Sequence, residues 1–165
     1  VAYNGYVYVL GGASTIYLSD VEYAPINANG TIGSWTTTTS FTTARRGHTS
    51  VAYNGYLYVL GGWNGTFLND VQYAAINANG TVGAWTATTS FTTARAYFAS
   101  VAYNGYLYIL GGWDGGHISN IQIAPINTGA LGAWAGTTSF VTTRNSHTSV
   151  AYNGYVYVLG GASTI

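Results

Sequence analysis

Hydrophobic and polar positions along this chain alternate in short runs and never settle into the three-and-four spacing of an amphipathic helix. Tyr56-Leu57-Tyr58-Val59-Leu60 is typical: aromatic and aliphatic residues bounded by Asn54-Gly55 before and Gly61-Gly62 after. Residues of this kind fit a pleated, half-buried surface. Asn-Gly suits a two-residue hairpin, because both of its positions need positive φ. The pattern predicts four strands over His48–Tyr53, Tyr56–Leu60, Asp70–Ile76 and Ala84–Thr88, with a second Asn-Gly turn at Asn79-Gly80 between the third and fourth.

The pattern then recurs. VAYNGYVYVLGG starts at Val1, VAYNGYLYVLGG at Val51, VAYNGYLYILGG at Val101 and VAYNGYVYVLGG again at Val150. The repeats are 1–50, 51–100, 101–149 and the partial 150–165. One residue is lost where INANGTVGAW becomes INTGALGAW, in a turn, where deletions are tolerated. A single four-stranded sheet cannot bury both of its faces, whereas stacking such sheets around an axis does. The expected class is therefore all-β, with propeller blades of four antiparallel strands. Three and a third repeats fall short of the four to eight blades of a closed ring, so an incomplete ring is expected. Val150–Ile165 repeats Val1–Ile16 letter for letter, although the full repeats differ from one another. That identity points to a higher-order period of three blades and to further copies of the same array as partners, in a ring or a filament.

An aliphatic-aromatic strand ending in Gly-Gly, then Tyr, then Trp, then Arg and His before the next strand, resembles the bacterial-type kelch repeat. The residues that carry it are Tyr58 to Gly62, Tyr73, Trp85 and Arg95 with their equivalents. The resemblance implies a kelch-like propeller that binds partners on the face where its variable connections lie. Comparing repeats identifies that face independently. Two segments diverge most: Trp63-Asn64-Gly65-Thr66-Phe67 with its equivalents after the glycine pair, and Arg46-Gly47-His48-Thr49 with its equivalents before the first strand. In an up-down meander both connections leave from one edge, while the nearly constant Asn-Gly turns leave from the other.

Candidate binding residues follow: Arg46, His48, Trp63, Asn64, Tyr97, Phe98, Trp113, Asp114, His117 and His147. Aromatics beside Asn and Asp can anchor a peptide or stack on a sugar ring. They can equally pack between blades. Arg45, Arg95 and Arg144 recur at blade junctions and read as ligands for backbone carbonyls.

Composition narrows the function further. Only 5% of residues are charged and the net charge is zero, with no Lys. Without clustered cations, neither nucleic acid nor an anionic membrane surface is an expected partner. No window reaches the apolar length of a membrane-spanning helix, so membrane insertion is not expected either. With no Cys, thiolate chemistry is excluded, including the Cys–Tyr cross-link used by a kelch-like copper oxidase. His48 and His147 hold equivalent positions in non-adjacent repeats and His117 stands alone, so no metal site and no cofactor are expected. The acids are Asp20, Glu22, Asp70 and Asp114, and Asp20 and Asp70 are equivalent positions that read as structural. No nucleophile elbow or phosphate loop is present. The expectation is a non-enzymatic binding or structural repeat module of a secreted or cell-surface protein, with a protein or glycan ligand. The alternative is a propeller enzyme or lectin-like carbohydrate binder using the same loops.

Overall fold

The computed structural model describes residues 1–163. Among them there is no helix, and every sheet is antiparallel. The first blade holds β1 (Ala2–Tyr3), β2 (Tyr6–Ala13), β3 (Tyr17–Pro25) and β4 (Thr36–Thr38) in sequence order. The second holds β5 (Thr49–Tyr53), β6 (Tyr56–Trp63), β7 (Phe67–Ala75) and β8 (Thr86–Thr88). The third runs β9 (Ala99–Tyr103), β10 (Tyr106–Trp113) and β11 (His117–Asn127), with both β12 (Ala130–Leu131) and β13 (Ala135–Thr137) paired to β11. A final hairpin joins β14 (Thr148–Tyr152) to β15 (Tyr155–Leu159). The sheets do not close into a ring.

The first Asn-Gly pair of each repeat sits at a hairpin tip as the sequence predicts, whereas at Asn79-Gly80 only the glycine is left-handed and the turn is closed by Gly80 N–H donating to the Asn77 carbonyl at 2.9 Å. Asn54 has φ 49° and Gly55 φ 81°, the left-handed pair that a two-residue turn matched to strand twist requires. The second strand outruns its expected end at Leu60. A bulge at Gly61 lets β6 continue to Trp63, and β7 correspondingly starts at Phe67 rather than Asp70. Only glycine fits there: Gly61 has φ 51°, and a Cβ on it would stand 2.7 Å from Phe91 Cζ. The fourth strand is shorter than expected, starting at Thr86. Trp85 turns away from it and donates its indole N–H to the Thr39 carbonyl of the preceding blade at 2.8 Å.

The core lies between blades rather than within them. Tyr8, Leu10, Val21 and Phe41 of the first blade pack on Leu57, Val59, Ala74 and Val82 of the second. Tyr58, Leu60, Val71 and Phe91 of the second pack on Leu107, Ile109, Ala124 and Leu131 of the third. Buried Arg45 fastens one junction. It donates to the Thr43 and Gly61 carbonyls and, through two nitrogens, to both oxygens of Asp70 at 2.7 Å. Burial pushes the Asp70 carboxyl up, but the hydrogen bonds and charge of Arg45 outweigh it and hold the group below the usual range. The recurring Arg is thus a blade-joining residue.

The one-residue deletion leaves a local trace. In the second blade the turn after β7 presents the Gly80 carbonyl to Tyr8, whose hydroxyl donates to it at 2.9 Å. In the third blade the turn tightens around Thr128-Gly129, and the equivalent Tyr58 hydroxyl is buried with no partner. An unpaired buried hydroxyl costs stability, whereas a paired one contributes about 1 kcal/mol. Tyr8→Phe is therefore expected to destabilise by about 1 kcal/mol, and Tyr58→Phe to stabilise by about as much. Urea unfolding of the two variants checks this; equal destabilisation by both would contradict it.

Candidate functional site

The two kinds of variable connection meet along one edge of the blades. Three residues before the first strand of each following blade, the chain bridges the end of that blade's second strand: Arg46 to Trp63, Ala96 to Trp113, Asn145 to Ala162. The residue after this bridge is left-handed in every repeat, with φ 60° at Gly47, 56° at Tyr97 and 53° at Ser146. These residues are joined in series, Tyr97 N–H donating to the Gly47 carbonyl and Ser146 N–H to the Tyr97 carbonyl, both at 2.7 Å. For a tyrosine this backbone is costly. Here it holds the Tyr97 ring outward, over Gly47, where a Cβ would stand 2.8 Å from the ring.

Three hollows open on this face. One of about 190 Å³ is lined by Arg46, Trp63, Phe67, Tyr97 and Trp113. One of about 230 Å³ continues past Tyr97 and Trp113 to Asn145 and Ser146. A third of about 460 Å³ lies on the other side of Arg46, between Ala13–Tyr17 and the Arg46 side chain. Tyr97 and Trp113 line the first two and Arg46 lines the first and third, so the hollows adjoin as a trough across three blades. The Trp63 ring meets Phe67 edge-on at 4.6 Å and the Trp113 ring meets His117 edge-on at 4.8 Å, so each loop tip is braced by its own aromatic pair. Arg46 lies over the Tyr17 ring at 5.6 Å, and among the described residues it has no acidic partner.

Arg46, Trp63, Tyr97 and Trp113 are therefore brought together. Asn64 and Asp114 lie at exposed loop tips and cap their own turns, accepting from Thr66 N–H at 3.4 Å and from Gly116 N–H at 3.2 Å. His117 lies within hydrogen-bond distance of Asn145 at 3.3 Å, tying the third blade's loop to the next junction. His48, Phe98 and His147 are not on the open face. The left-handed residue before each turns it inward, where it packs on Phe41, Phe91 and Phe140 at 5.8, 5.7 and 5.8 Å. Phe98 is core, not an exposed aromatic. His48 shares a hydrogen bond with the Leu10 carbonyl at 3.0 Å, and burial, seconded by the Arg45 charge, pushes it down to about 4. The sequence missed Ala13–Tyr17, Phe67, Asn145 and Ser146 as parts of the trough. Phe67 and Tyr17 occupy equivalent positions in the variable segment, and that pairing of aromatics was the available signal.

Among the described residues no cluster of His, Asp or Glu could hold a metal ion. The trough offers aromatic faces, one guanidinium and amide groups, and no pair of acids placed for proton transfer.

The model of the KLHDC2/KLHL20/DRC7 Kelch-repeats domain matches residues 1–162. The solved structure described as the structure of YjhT superposes with a TM-score of 0.77 at 16% identity, over 97% of this chain and 57% of that one. The chain thus spans a little over half the length of that neighbour. No curated protein matches the chain.

Proposed function

The chain belongs to the kelch-repeat family, and from that premise we propose that it is a protein-binding module whose contact surface is the trough on the variable-loop face. Kelch domains generally mediate protein–protein interactions. The observation that carries the assignment to this face is the convergence of Trp63, Tyr97, Trp113 and Arg46 from two blade junctions into one open groove. Trp, Tyr and Arg are the residue types that dominate binding energy at protein interfaces, because they offer large contact area for little lost side-chain freedom. Tyr97 is 37% exposed, its left-handed backbone holding the ring at the surface.

The surface of Thr, Ser, Asn, Gly and Tyr with few charges favours a secreted or cell-surface setting. A glycan stacked on Trp63 or Trp113 is the second reading, favoured by the amides of Asn64 and Asn145 beside the rings.

Peptide display on the folded chain tests the assignment. Selected peptides are expected to lose at least about tenfold in affinity on Trp63→Ala or Trp113→Ala, the effect of truncating an interface anchor. They are expected to bind unchanged after Asn54→Asp at the opposite edge. Equal affinity for all variants would place the contact elsewhere.

A further inference from the structure

The chain carries seven Asn-Gly pairs, opening at Asn4, Asn29, Asn54, Asn64, Asn79, Asn104 and Asn153. In such a pair the glycine nitrogen can attack the side-chain carbonyl carbon of the asparagine, because no side chain on the glycine blocks the approach. Six of the seven are held against that attack, and the seventh is not.

Four of them form two-residue hairpin tips. Asn4, Asn54, Asn104 and Asn153 are left-handed, with φ between 47° and 49°. Closing a ring onto the next nitrogen twists the Cα–C bond out of that turn, and the pairing of the flanking strands resists the twist. The other two guarded pairs lie in the turns after β3 and β7. There the Asn29 and Asn79 Oδ1 atoms accept from the Thr31 and Thr81 hydroxyls at 2.7 Å, and from the N–H groups of the same threonines at 3.1 and 3.2 Å. The attacking nitrogens are engaged as well: Gly30 and Gly80 N–H donate to the Asn27 and Asn77 carbonyls at 2.9 Å.

Asn64 escapes both restraints. Its backbone is not left-handed. Its Oδ1 accepts from the Thr66 N–H at 3.4 Å and from the Thr66 hydroxyl at 3.3 Å, both longer than an effective hydrogen bond. The Gly65 N–H donates no hydrogen bond among the described residues. Asn64, Gly65 and Thr66 are all exposed at the loop tip, and nothing lies within 4 Å of where a Gly65 Cβ would stand. The attacking nitrogen, the amide it attacks and solvent water therefore meet here without obstruction.

We propose that Asn64 is a self-modification site, losing its side-chain amide through a cyclic imide with Gly65 and leaving a carboxylate at the lip of the trough. The Gly65 nitrogen bonds to the Asn64 Cγ. The bond from Cγ to the side-chain nitrogen breaks, and that nitrogen leaves as ammonia with the proton that Gly65 gave up. Water then opens the imide: at Cγ it gives aspartate, and at the main-chain carbonyl carbon it gives isoaspartate. The aspartate product fits, since the equivalent Asp114 already caps its own turn by accepting from Gly116 N–H at 3.2 Å. The isoaspartate product adds a main-chain carbon to the loop closed by the pairing of Trp63 with Phe67, whose rings brace this tip at 4.6 Å. Either product adds one negative charge to a chain of zero net charge. It does so next to Trp63, whose backbone pairs with that of Arg46, the cation of the trough. The chemistry at Asn64 is independent of the loop-face reading.

The test is incubation of the folded full chain in mildly alkaline buffer, followed by peptide mass spectrometry that resolves each asparagine. Asn64 is expected to lose its amide at least about tenfold faster than any other Asn-Gly pair, a modest difference in barrier. Isoaspartate is expected among the products, because only imide opening makes it. In guanidinium the seven pairs should converge to within a few-fold, since the turns and hydrogen bonds that separate them are gone. Similar rates at all pairs of the folded chain, a hairpin-tip asparagine reacting first, or aspartate without isoaspartate would overturn the proposal. So would rates that stay as far apart in denaturant, which would assign the difference to neighbouring sequence and not to the fold. None of these results touches the loop-face reading, which peptide binding decides.

Discussion

Asp70→Ala is expected to destabilise the chain by about 3 kcal/mol, the largest effect of any single change away from the apolar core. The reason is the environment of Arg45. Its side chain is fully buried, and Asp70 supplies the only carboxylate within reach among the described residues. Removing one partner of a buried pair leaves the other charge uncompensated, which costs more than the pair contributed. The exposure of Asp70, 37%, keeps the expected value at the lower end of that range.

The third blade provides the reverse experiment. Asn120 stands where Asp20 and Asp70 stand in the other blades. Buried Arg95 keeps its contacts to the Thr93 and Gly111 carbonyls, but its Nη2 and the Asn120 Oδ1 are both buried without partners. Burial pushes the Arg95 guanidinium down to about 10, with the Asp114 charge opposing the shift, so it remains a cation at neutral pH. Asn120→Asp is expected to stabilise by about 2 kcal/mol, the scale of a hydrogen bond to a charged group. Urea denaturation of the two variants checks both signs. Stabilisation by Asp70→Ala, or destabilisation by Asn120→Asp, would refute this account of the blade junction.

Acid is expected to weaken the fold between pH 6.5 and 4, by roughly 3 kcal/mol from His48 alone. His48 titrates near its ordinary value when unfolded and at about 4 when folded, with burial the leading cause. Protons therefore bind the unfolded chain more tightly. The stability that neutral His48 contributes is complete above pH 6.5, falls as the unfolded chain takes up the proton, and is gone once pH drops below the folded value. His147 is shifted down for the same cause, burial first and then the Arg144 charge, and adds to the slope. Asp70 acts lower, below the ordinary carboxylate range, where it too becomes protonated. The second blade already carries the control: Phe98 fills the same position against Phe91. His48→Phe should therefore fold and flatten the pH dependence of the unfolding midpoint across this window. An unchanged slope in His48→Phe would show that His48 is not the titrating group.

Much of the fold was legible because each local signal agrees with its neighbours. The first Asn-Gly pair of each repeat marked a hairpin tip, and the fifty-residue spacing marked the blades. The recurring Arg was legible as a carbonyl ligand, although its ion pair to the next blade was not. That contact joins Arg45 to Asp70 across 25 residues, and only the three-dimensional stacking shows it.

What the alternation pattern could not show was the effect of left-handed residues. The bulge at Gly61 adds a residue that alternation does not count, so the strand appeared to stop at Leu60. The φ of 56° at Tyr97 reverses which side of the chain the next residue faces, sending Phe98 into the core and leaving Tyr97 outside. A size comparison held the clue. His48, Phe98 and His147 are all flat rings at one position, which is what a fixed space against Phe41, Phe91 and Phe140 selects, whereas Gly47, Tyr97 and Ser146 differ in size as open positions do.

The central claim is that the variable-loop edge, and not the constant Asn-Gly edge, is where this kelch array meets its protein partner. Hydrogen exchange of the chain with and without a display-selected peptide measures this directly. The account predicts slowed exchange at residues 46–48, 63–67, 96–98 and 113–117, with no change at the turns of Asn54-Gly55 and Asn104-Gly105. Protection confined to those turns, with the trough exchanging as in the free chain, would contradict it.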